Sequence, residues 1–534
     1  MSTFAPESVA PTRIDPVAAS ASEIIGGTLG RHASLVRRTA GSTWQPAAAV
    51  LAGLASVTVA LGVLQKGHCL TKGWSNPDQF WHACYSDLPV SAGIGHALPY
   101  LSGAPKLDQP LISGLVMWLV GLAVPDGSAL ARQQWYFALW AVLITVIVMA
   151  LVIVTAASVP RAPWRAAHVA LSPVLVLVGL VSVDLLGVLL TSVALWAWGR
   201  SKLVVAGVVM GLATSARSYP LVLLVAIGLL AVRSGRVRAW AVMAGTALAA
   251  WFLVSLPWLV LNADGLLSTY RAWWRGASGY GSLWMVSGLF GQSLPQGART
   301  ILVILSGLVA LEVGALLTLI IDRRPRVSEV SLFMLVIVAG YGSVWLARGV
   351  WGHALPQGAV TTLVILGWLA ALLVGAFFAL GMVRRPTVAE VSLVMLVIVV
   401  ITGKTVPVQA ALWLLPLIAL VGLRWRDHLI WAGVEATYFV GVWLYIAGLS
   451  KPDRGLPSGL YGVLIGVRIA AWLYLLVQVW RVARSRAPIT PSVSADQESA
   501  EHDGVRESAD PDHEIDPLAG PMKGAPDHLL VRLS

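Results

Sequence analysis

The sequence predicts an all-α polytopic membrane protein, and three observations carry that reading. Of 534 residues, 57% are hydrophobic and only 12% charged. Apolar runs recur at close to the ~20 residues a helix needs to cross a hydrocarbon core ~30 Å thick. Short clusters of arginine separate many of those runs, the pattern of loops held on the cytoplasmic side. The longest polar stretches are the two termini and residues 66–109, so no ordinary soluble domain is expected.

Residues 1–44 read as a cytoplasmic, disordered segment whose Arg31, Arg37 and Arg38 precede the first span at 45–65. That span starts too late for a signal peptide and lacks a small-x-small cleavage site, so it is expected to anchor the chain. An outer loop at 66–133 follows, in which 110–125 is short for a crossing and reads as an interfacial helix. Further spans are expected at 134–155, 168–181, 183–200, 203–216, 219–232, 238–261, 298–321, 328–347, 359–382, 387–402, 407–423, 428–449 and 458–480. Arg161/Arg165, Arg233/Arg236/Arg238, Arg323/Arg324/Arg326, Arg384/Arg385, Arg424/Arg426 and Arg481/Arg484/Arg486 mark the cytoplasmic ends. About fourteen crossings on this count return both termini to the cytoplasm. The membrane domain is bounded at 45–482, and the acidic, Ser- and Pro-containing tail at 483–534 reads as disordered.

Residues 280–340 and 341–401 align without gaps at an offset of 61, with about 36 identities. Shared segments include Tyr-Gly-Ser-x-Trp at 280–284 and 341–345, Leu-Pro-Gln-Gly-Ala at 294–298 and 355–359, and Arg-Arg-Pro at 323–325 and 384–386. This is a tandemly duplicated helix hairpin added to an ancestor of about twelve spans. By sequence either copy can hold the ancestral place.

The only two cysteines, Cys69 and Cys84, lie in the same outer loop. That placement suggests a disulfide formed in an oxidising compartment, with two free thiols as the alternative. Asp87 follows three residues later, in Cys84-Tyr85-Ser86-Asp87-Leu88-Pro89.

Ionisable residues at span ends are functional candidates. Asp184 falls between two spans, Arg217 lies in Ala216-Arg217-Ser218-Tyr219-Pro220, Lys404 in Gly403-Lys404-Thr405-Val406-Pro407, and Arg271 and Arg275 in an outer segment. An acid, Asp87, facing the cations Arg217, Arg271, Arg275 and Lys404 suits a phosphate-bearing substrate: guanidinium binds phosphate oxygens in pairs, lysine adds charge, and a carboxylate can take a proton from an attacking hydroxyl. Taken singly, each cation is equally a side chain reaching for lipid head groups, and Asp87 a helix cap before Pro89.

These segments, with Gly95-His96-Ala97-Leu98-Pro99-Tyr100-Leu101, Asp108-Gln109-Pro110-Leu111 and Val408-Gln409-Ala410-Ala411-Leu412-Trp413, resemble actinobacterial members of glycosyltransferase family 87 in the GT-C superclass. The resemblance runs over roughly 45–480 and implies a GT-C-like bundle with interfacial helices in the first outer loop. It implies an inverting transferase that takes a sugar, usually mannose, from a polyprenyl-phosphate donor to a cell-envelope glycan or glycolipid on the outer face of the plasma membrane. The family's aspartate in the first outer loop corresponds to Asp87, as general base. Its cationic segments correspond to Arg217 and Lys404, and more loosely to Arg271 and Arg275, as ligands of the lipid phosphate. His96, Asp108, Tyr219 and Gln409 are further substrate-binding candidates. Two positions depart from the family pattern: 217 is arginine where lysine is expected, and 403 is glycine where asparagine is frequent.

Competing readings are arabinofuranosyl transfer from the corresponding polyprenyl phosphate, and a transporter or scaffold for lipid-linked glycans. A transporter calls for ionisable residues near span midpoints, whereas most candidates here fall at span ends. The net charge of +11 reads as topology signalling and contact with anionic membrane lipid, not nucleic-acid binding. No glycine-rich phosphate loop is present, which disfavours a nucleotide-sugar donor. No cofactor is expected; His68, Asp78, His82, His96 and Asp87 match no standard ligand spacing, which predicts no metal while leaving a divalent cation open.

Overall fold

The computed structural model describes residues 15–32, 44–90, 97–101, 107–290, 356–485 and 516–530. Among them every regular element is helical and no strand occurs. In chain order the helices are α1 (Pro16–His32), α2 (Gln45–Gln65), α3 (Gly67–Lys72), α4 (Asp78–Trp81), α5 (Asp87–Val90), α6 (Leu111–Leu122), α7 (Ala129–Ser158), α8 (Ala167–Ala170), α9 (Pro173–Val178), α10 (Asp184–Gly199), α11 (Leu203–Ala216), α12 (Pro220–Arg233), α13 (Val237–Arg275), α14 (Val286–Phe290), α15 (Gln357–Gly381), α16 (Val388–Ile401), α17 (Ala410–Val421), α18 (Trp425–Ser450) and α19 (Ser458–Ser485).

Six of these, α2, α7, α13, α15, α18 and α19, are long and apolar enough to cross a membrane. Six shorter apolar helices, α6, α10, α11, α12, α16 and α17, accompany them. At ~1.5 Å per residue, helices of 12–16 residues rise ~18–24 Å, less than the ~30 Å core. Their shortness has a local cause: α10 begins at Asp184, α11 stops before Arg217, Pro220 starts α12, and α16 stops before Gly403-Lys404.

Packing follows sequence neighbours. Helix α11 lies along α13 and α10, α2 along α7, α15 along α16, and α18 along α19. Gly207 and Gly211, four residues apart, permit the first of these contacts: a Cβ at either would meet the Met243 or Ala247 carbonyl oxygen at 2.4 or 2.3 Å. A small-xxx-small stripe is how helices approach closely in lipid, where burial of apolar surface supplies little drive.

Helix ends gather at two poles. One carries Lys66, Asp87, Asp184, Arg217 and Lys404. The other carries Arg233 and Arg385, joined through Asp527, and Arg165 beside the Gly422 turn that precedes α18. At this arginine end the segment 516–530 packs back on the bundle. Asp527 accepts from the buried Arg233 (2.6 Å) and from Arg385 (2.6 and 2.8 Å), and Asp516 accepts from the Val388 amide (2.9 Å) at the first turn of α16. Met522 and Leu518 are buried.

The structure departs from the sequence expectations at several points. The expected span 168–181 is a broken passage: Ser172 and Pro173 interrupt it, leaving α8 and α9 with 4 and 6 residues. The expected span 238–261 continues to Arg275 through a non-helical Asn262, so part of the expected outer loop is helix. The expected disorder at 483–534 does not extend to 516–530, because carboxylates there meet arginines and a helix N-terminus at the bundle's end. Spans 298–321 and 328–347 lie outside the described residues. The second copy of the duplicated hairpin supplies α15 and α16, which pack on α12 and α17, while the loop that opens the first copy packs against the turn after α16 through Tyr280, Ser282 and Trp284.

Candidate active site

Asp87 opens α5, a short turn pinned on both sides. Its amide donates to the Val181 carbonyl (2.8 Å), and the Ser86 hydroxyl donates to Leu180 (2.7 Å). Upstream, Cys69 and Cys84 are joined by a disulfide with Cα atoms 5.8 Å apart. The carboxylate faces inward. The Tyr85 hydroxyl donates to one oxygen and the Gln409 amide to the other at 3.3 Å. Burial pushes Asp87 above the usual carboxylate range; the Tyr85 hydrogen bond opposes this, and Asp184 adds to it.

Lys66, the first residue past α2, is fully buried behind this turn. Its ammonium donates to the Tyr85 carbonyl (2.9 Å) and lies over the Phe439 ring at 4.9 Å. Burial lowers it to about 7, against the attraction of Asp87. The Tyr85 ring is itself packed by Trp443 and Phe80, with centroids at 4.4 and 5.4 Å.

A second carboxylate completes the cluster. Arg217 ends α11 in an extended conformation, which turns its side chain across the top of α10. Nε and Nη2 donate to the two oxygens of Asp184 (2.7 and 2.8 Å), and Nη1 donates to Gln109 (2.7 Å). Asp184 also accepts from Trp413 Nε1 (2.8 Å) and the Ser182 hydroxyl. Gln409 and Trp413 are four residues apart and share a face of the first turn of α17. That turn therefore ties the two carboxylates together, Gln409 to Asp87 and Trp413 to Asp184.

The turn is held from below. Arg468 on α19 donates to the Val406 and Pro407 carbonyls (2.7 and 3.1 Å) and to Glu435 on α18 (3.0 and 3.1 Å), with both side chains 2% exposed. Apolar surroundings exclude water from this pair, so its hydrogen bonds fix the chain that carries Gln409.

The predicted cations part company. Arg217 lies with Asp87, but its guanidinium is already engaged by Asp184 and Gln109. Lys404 does not face Asp87: its ammonium donates to the carbonyls of Trp274 (2.6 Å), Gly276 (3.2 Å) and Trp273 (3.4 Å) and lies over the Trp273 ring at 5.3 Å. It caps the C-terminal end of α13, where carbonyls and the helix dipole favour a cation. Arg271 pairs with the exposed Asp264, and Arg275 is exposed. Among the remaining candidates, Tyr219 is buried and stacks on Trp413 at 4.9 Å, Asp108 is exposed beside Gln109, and His96 lies outside the described residues.

Lys66, Tyr85, Gln109, Trp413, Glu435 and Arg468 take part here but were not singled out from sequence. Lys66 was legible as an ionisable residue at the end of the first span, and Glu435 and Arg468 as charges inside apolar runs. Nothing in the sequence marks Tyr85 as the partner of Asp87, since that contact depends on the turn between them. Separately, His68, Asp78 and His82 come together on the loop before Asp87, with ligand atoms within 4.8 Å of one another.

No protein-family model matches the chain, and no curated protein matches it. Among solved structures, an archaeal oligosaccharyltransferase from Archaeoglobus fulgidus, in complex with an inhibitory peptide and a dolichol-phosphate, is similar at 13% identity and a TM-score of 0.31. The match covers 81% of this chain and 55% of that one, so the chain spans little more than half the length of this neighbour. A likeness of that degree does not specify a shared mechanism.

Proposed function

We propose that this protein is a membrane glycosyltransferase that moves a sugar from a polyprenyl-phosphate donor to a glycan or glycolipid, with Asp87 as general base. One observation carries the reading: a half-buried carboxylate with raised proton affinity sits at one end of an apolar helix bundle, beside an Arg217–Asp184 pair and the buried Lys66. A lipid-borne phosphate and a polar acceptor can meet at such an end without the donor leaving the membrane.

In this mechanism an acceptor hydroxyl attacks the anomeric carbon and its proton passes to Asp87. The bond from that carbon to the phosphate oxygen breaks, and the polyprenyl phosphate departs with the electron pair. Attack opposite the leaving group inverts the centre. A carboxylate whose proton affinity lies above its solution value is a better base, and positioned general bases contribute roughly 10²–10⁴-fold. Arg217 supplies the nearest guanidinium for the departing phosphate; Asp184 and Gln109 hold it in place. The motif resemblance favours mannose as the sugar and the outer face of the plasma membrane as the site, with the disulfide suited to that compartment.

Membranes containing this chain are expected to transfer labelled mannose from polyprenyl-phosphate mannose, and an Asp87→Asn variant of equal abundance is expected to lose that transfer. Equal transfer by both would discard Asp87 as the base. Transfer from polyprenyl-phosphate arabinose alone would keep the chemistry and replace the sugar.

A further inference from the structure

We propose that His68, Asp78 and His82 bind one zinc ion on the loop that leads to Asp87. His68 belongs to α3, Asp78 opens α4, and His82 follows its last turn, so the ligands come from two helices that chain spacing alone does not bring together. His68 Nε2 lies 2.7 Å from one oxygen of Asp78, and His82 Nδ1 lies 3.3 Å from the other. A tetrahedral zinc with bonds of ~2.0–2.1 Å sets its ligand atoms ~3.3 Å apart, so small side-chain movements complete the site.

Two further features point the same way. The imidazole rings of His68 and His82 stack in parallel, with centroids 3.4 Å apart and planes 12° from parallel. So placed, the two imidazoles and the carboxylate between them bring their ligand atoms within 4.8 Å of one another, close enough to converge on one ion. The loop backbone is also held independently of any ion, by the disulfide, by Cys84 donating to the Gln79 carbonyl (3.0 Å) and by Trp74 donating to Cys84 (3.1 Å). The site is therefore preorganised.

The donor chemistry selects the ion. Both cysteines are in the disulfide, so no thiolate is available. Two imidazoles and one carboxylate suit borderline zinc, whereas calcium and magnesium take oxygen ligands. Three protein ligands leave a fourth position for water. The side chains are 33, 36 and 45% exposed, so the ion has a path in. The proposal is independent of the sugar-transfer reading.

The test uses the full chain, purified in detergent with a tag that contains no histidine, stripped with chelator, incubated with zinc chloride and desalted. Elemental analysis is expected to find about one zinc per chain, and zinc is expected to raise the melting temperature. His82→Ala, the most exposed ligand and the change least able to disturb folding, is expected to abolish both effects while the disulfide and monodispersity are kept. Asp78→Asn should do the same. Zinc retained equally by the parent and His82→Ala, or no zinc retained by the parent, overturns the site. Retention of magnesium in preference to zinc overturns the assignment of the ion.

Discussion

Lys66 and Asp87 are joined through a single residue: the Lys66 ammonium donates to the Tyr85 carbonyl, and the Tyr85 hydroxyl donates to the Asp87 carboxylate. The end of the first long helix is thereby coupled to the candidate base. The attraction of Asp87 offsets only part of the cost of burying the Lys66 ammonium, and desolvation of the lysine dominates.

Tyr85→Phe keeps the ring between Trp443 and Phe80 but removes the hydroxyl. Asp87 then loses a donor that favours its charged form, and its proton affinity rises further. A base must be deprotonated to act, so the acid limb of the rate profile is expected to move to higher pH. At neutral pH kcat should fall about tenfold, the cost of one hydrogen bond to a charged group. Sugar transfer measured across pH checks this; an unchanged acid limb would remove Tyr85 from the mechanism.

Lys66 gives a pH dependence of stability whose sign follows from its burial. Its proton affinity falls from 10.5 to about 7 on folding. Between those values the unfolded chain binds more protons than the folded one, so this group's contribution makes stability rise with pH across that window. Below 7 the cost of burying the ammonium is fully present, and above 10.5 it is absent. Lys66→Met is therefore expected to gain most over the parent near pH 6, with the difference shrinking steadily towards pH 10. Paired thermal melts measure it, and a difference independent of pH would contradict the buried, shifted lysine.

Asp184 and Arg217 form a two-bond pair, with side chains 5 and 14% exposed. Removing one partner of such a pair leaves an uncompensated charge and costs about 3–5 kcal/mol, whereas replacing both by apolar residues is often neutral. Asp184→Leu alone is expected to destabilise strongly, and Asp184→Leu with Arg217→Met is expected to recover much of that loss. A double-mutant cycle by chemical or thermal unfolding reports the coupling. Simple additivity would mean that the pair contributes nothing to holding α10 against α11.

How much of this arrangement was legible in the sequence depends on what each contact requires. Helix α2 and the disulfide between Cys69 and Cys84 could be read directly, because apolar run length and chain proximity decide them. The role of Lys404 could not: its position after a span suggested a phosphate ligand, but the Asn262 kink lets α13 run on to Arg275 and brings that helix's final carbonyls to its ammonium. The broken passage at 168–181 was hidden for a different reason. Its hydrophobicity is that of a span, and only Ser172-Pro173 signals the break. The tail at 516–530 was read as disordered from its composition, which carries no information about two arginines waiting at the far end of the bundle.

Arg468 and Glu435 provide the most distant lever on the candidate site. Neither touches Asp87; Arg468, paired with Glu435, donates to the Val406 and Pro407 carbonyls and so holds the turn on which Gln409 and Trp413 face the two carboxylates. Arg468→Met leaves Glu435 buried without its cation and frees both carbonyls, so it is expected to destabilise by about 3–5 kcal/mol. The joint change Arg468→Met with Glu435→Gln removes the stranded charge and separates stability from function. If the pair acts by positioning Gln409, the double variant is expected to regain most of the melting temperature while kcat stays roughly tenfold low with KM little changed, because a 1 Å displacement at a reacting group is costly even where folding is intact. Full recovery of kcat along with stability would mean that the pair supports the fold alone, and that the turn finds its position from α17 without help.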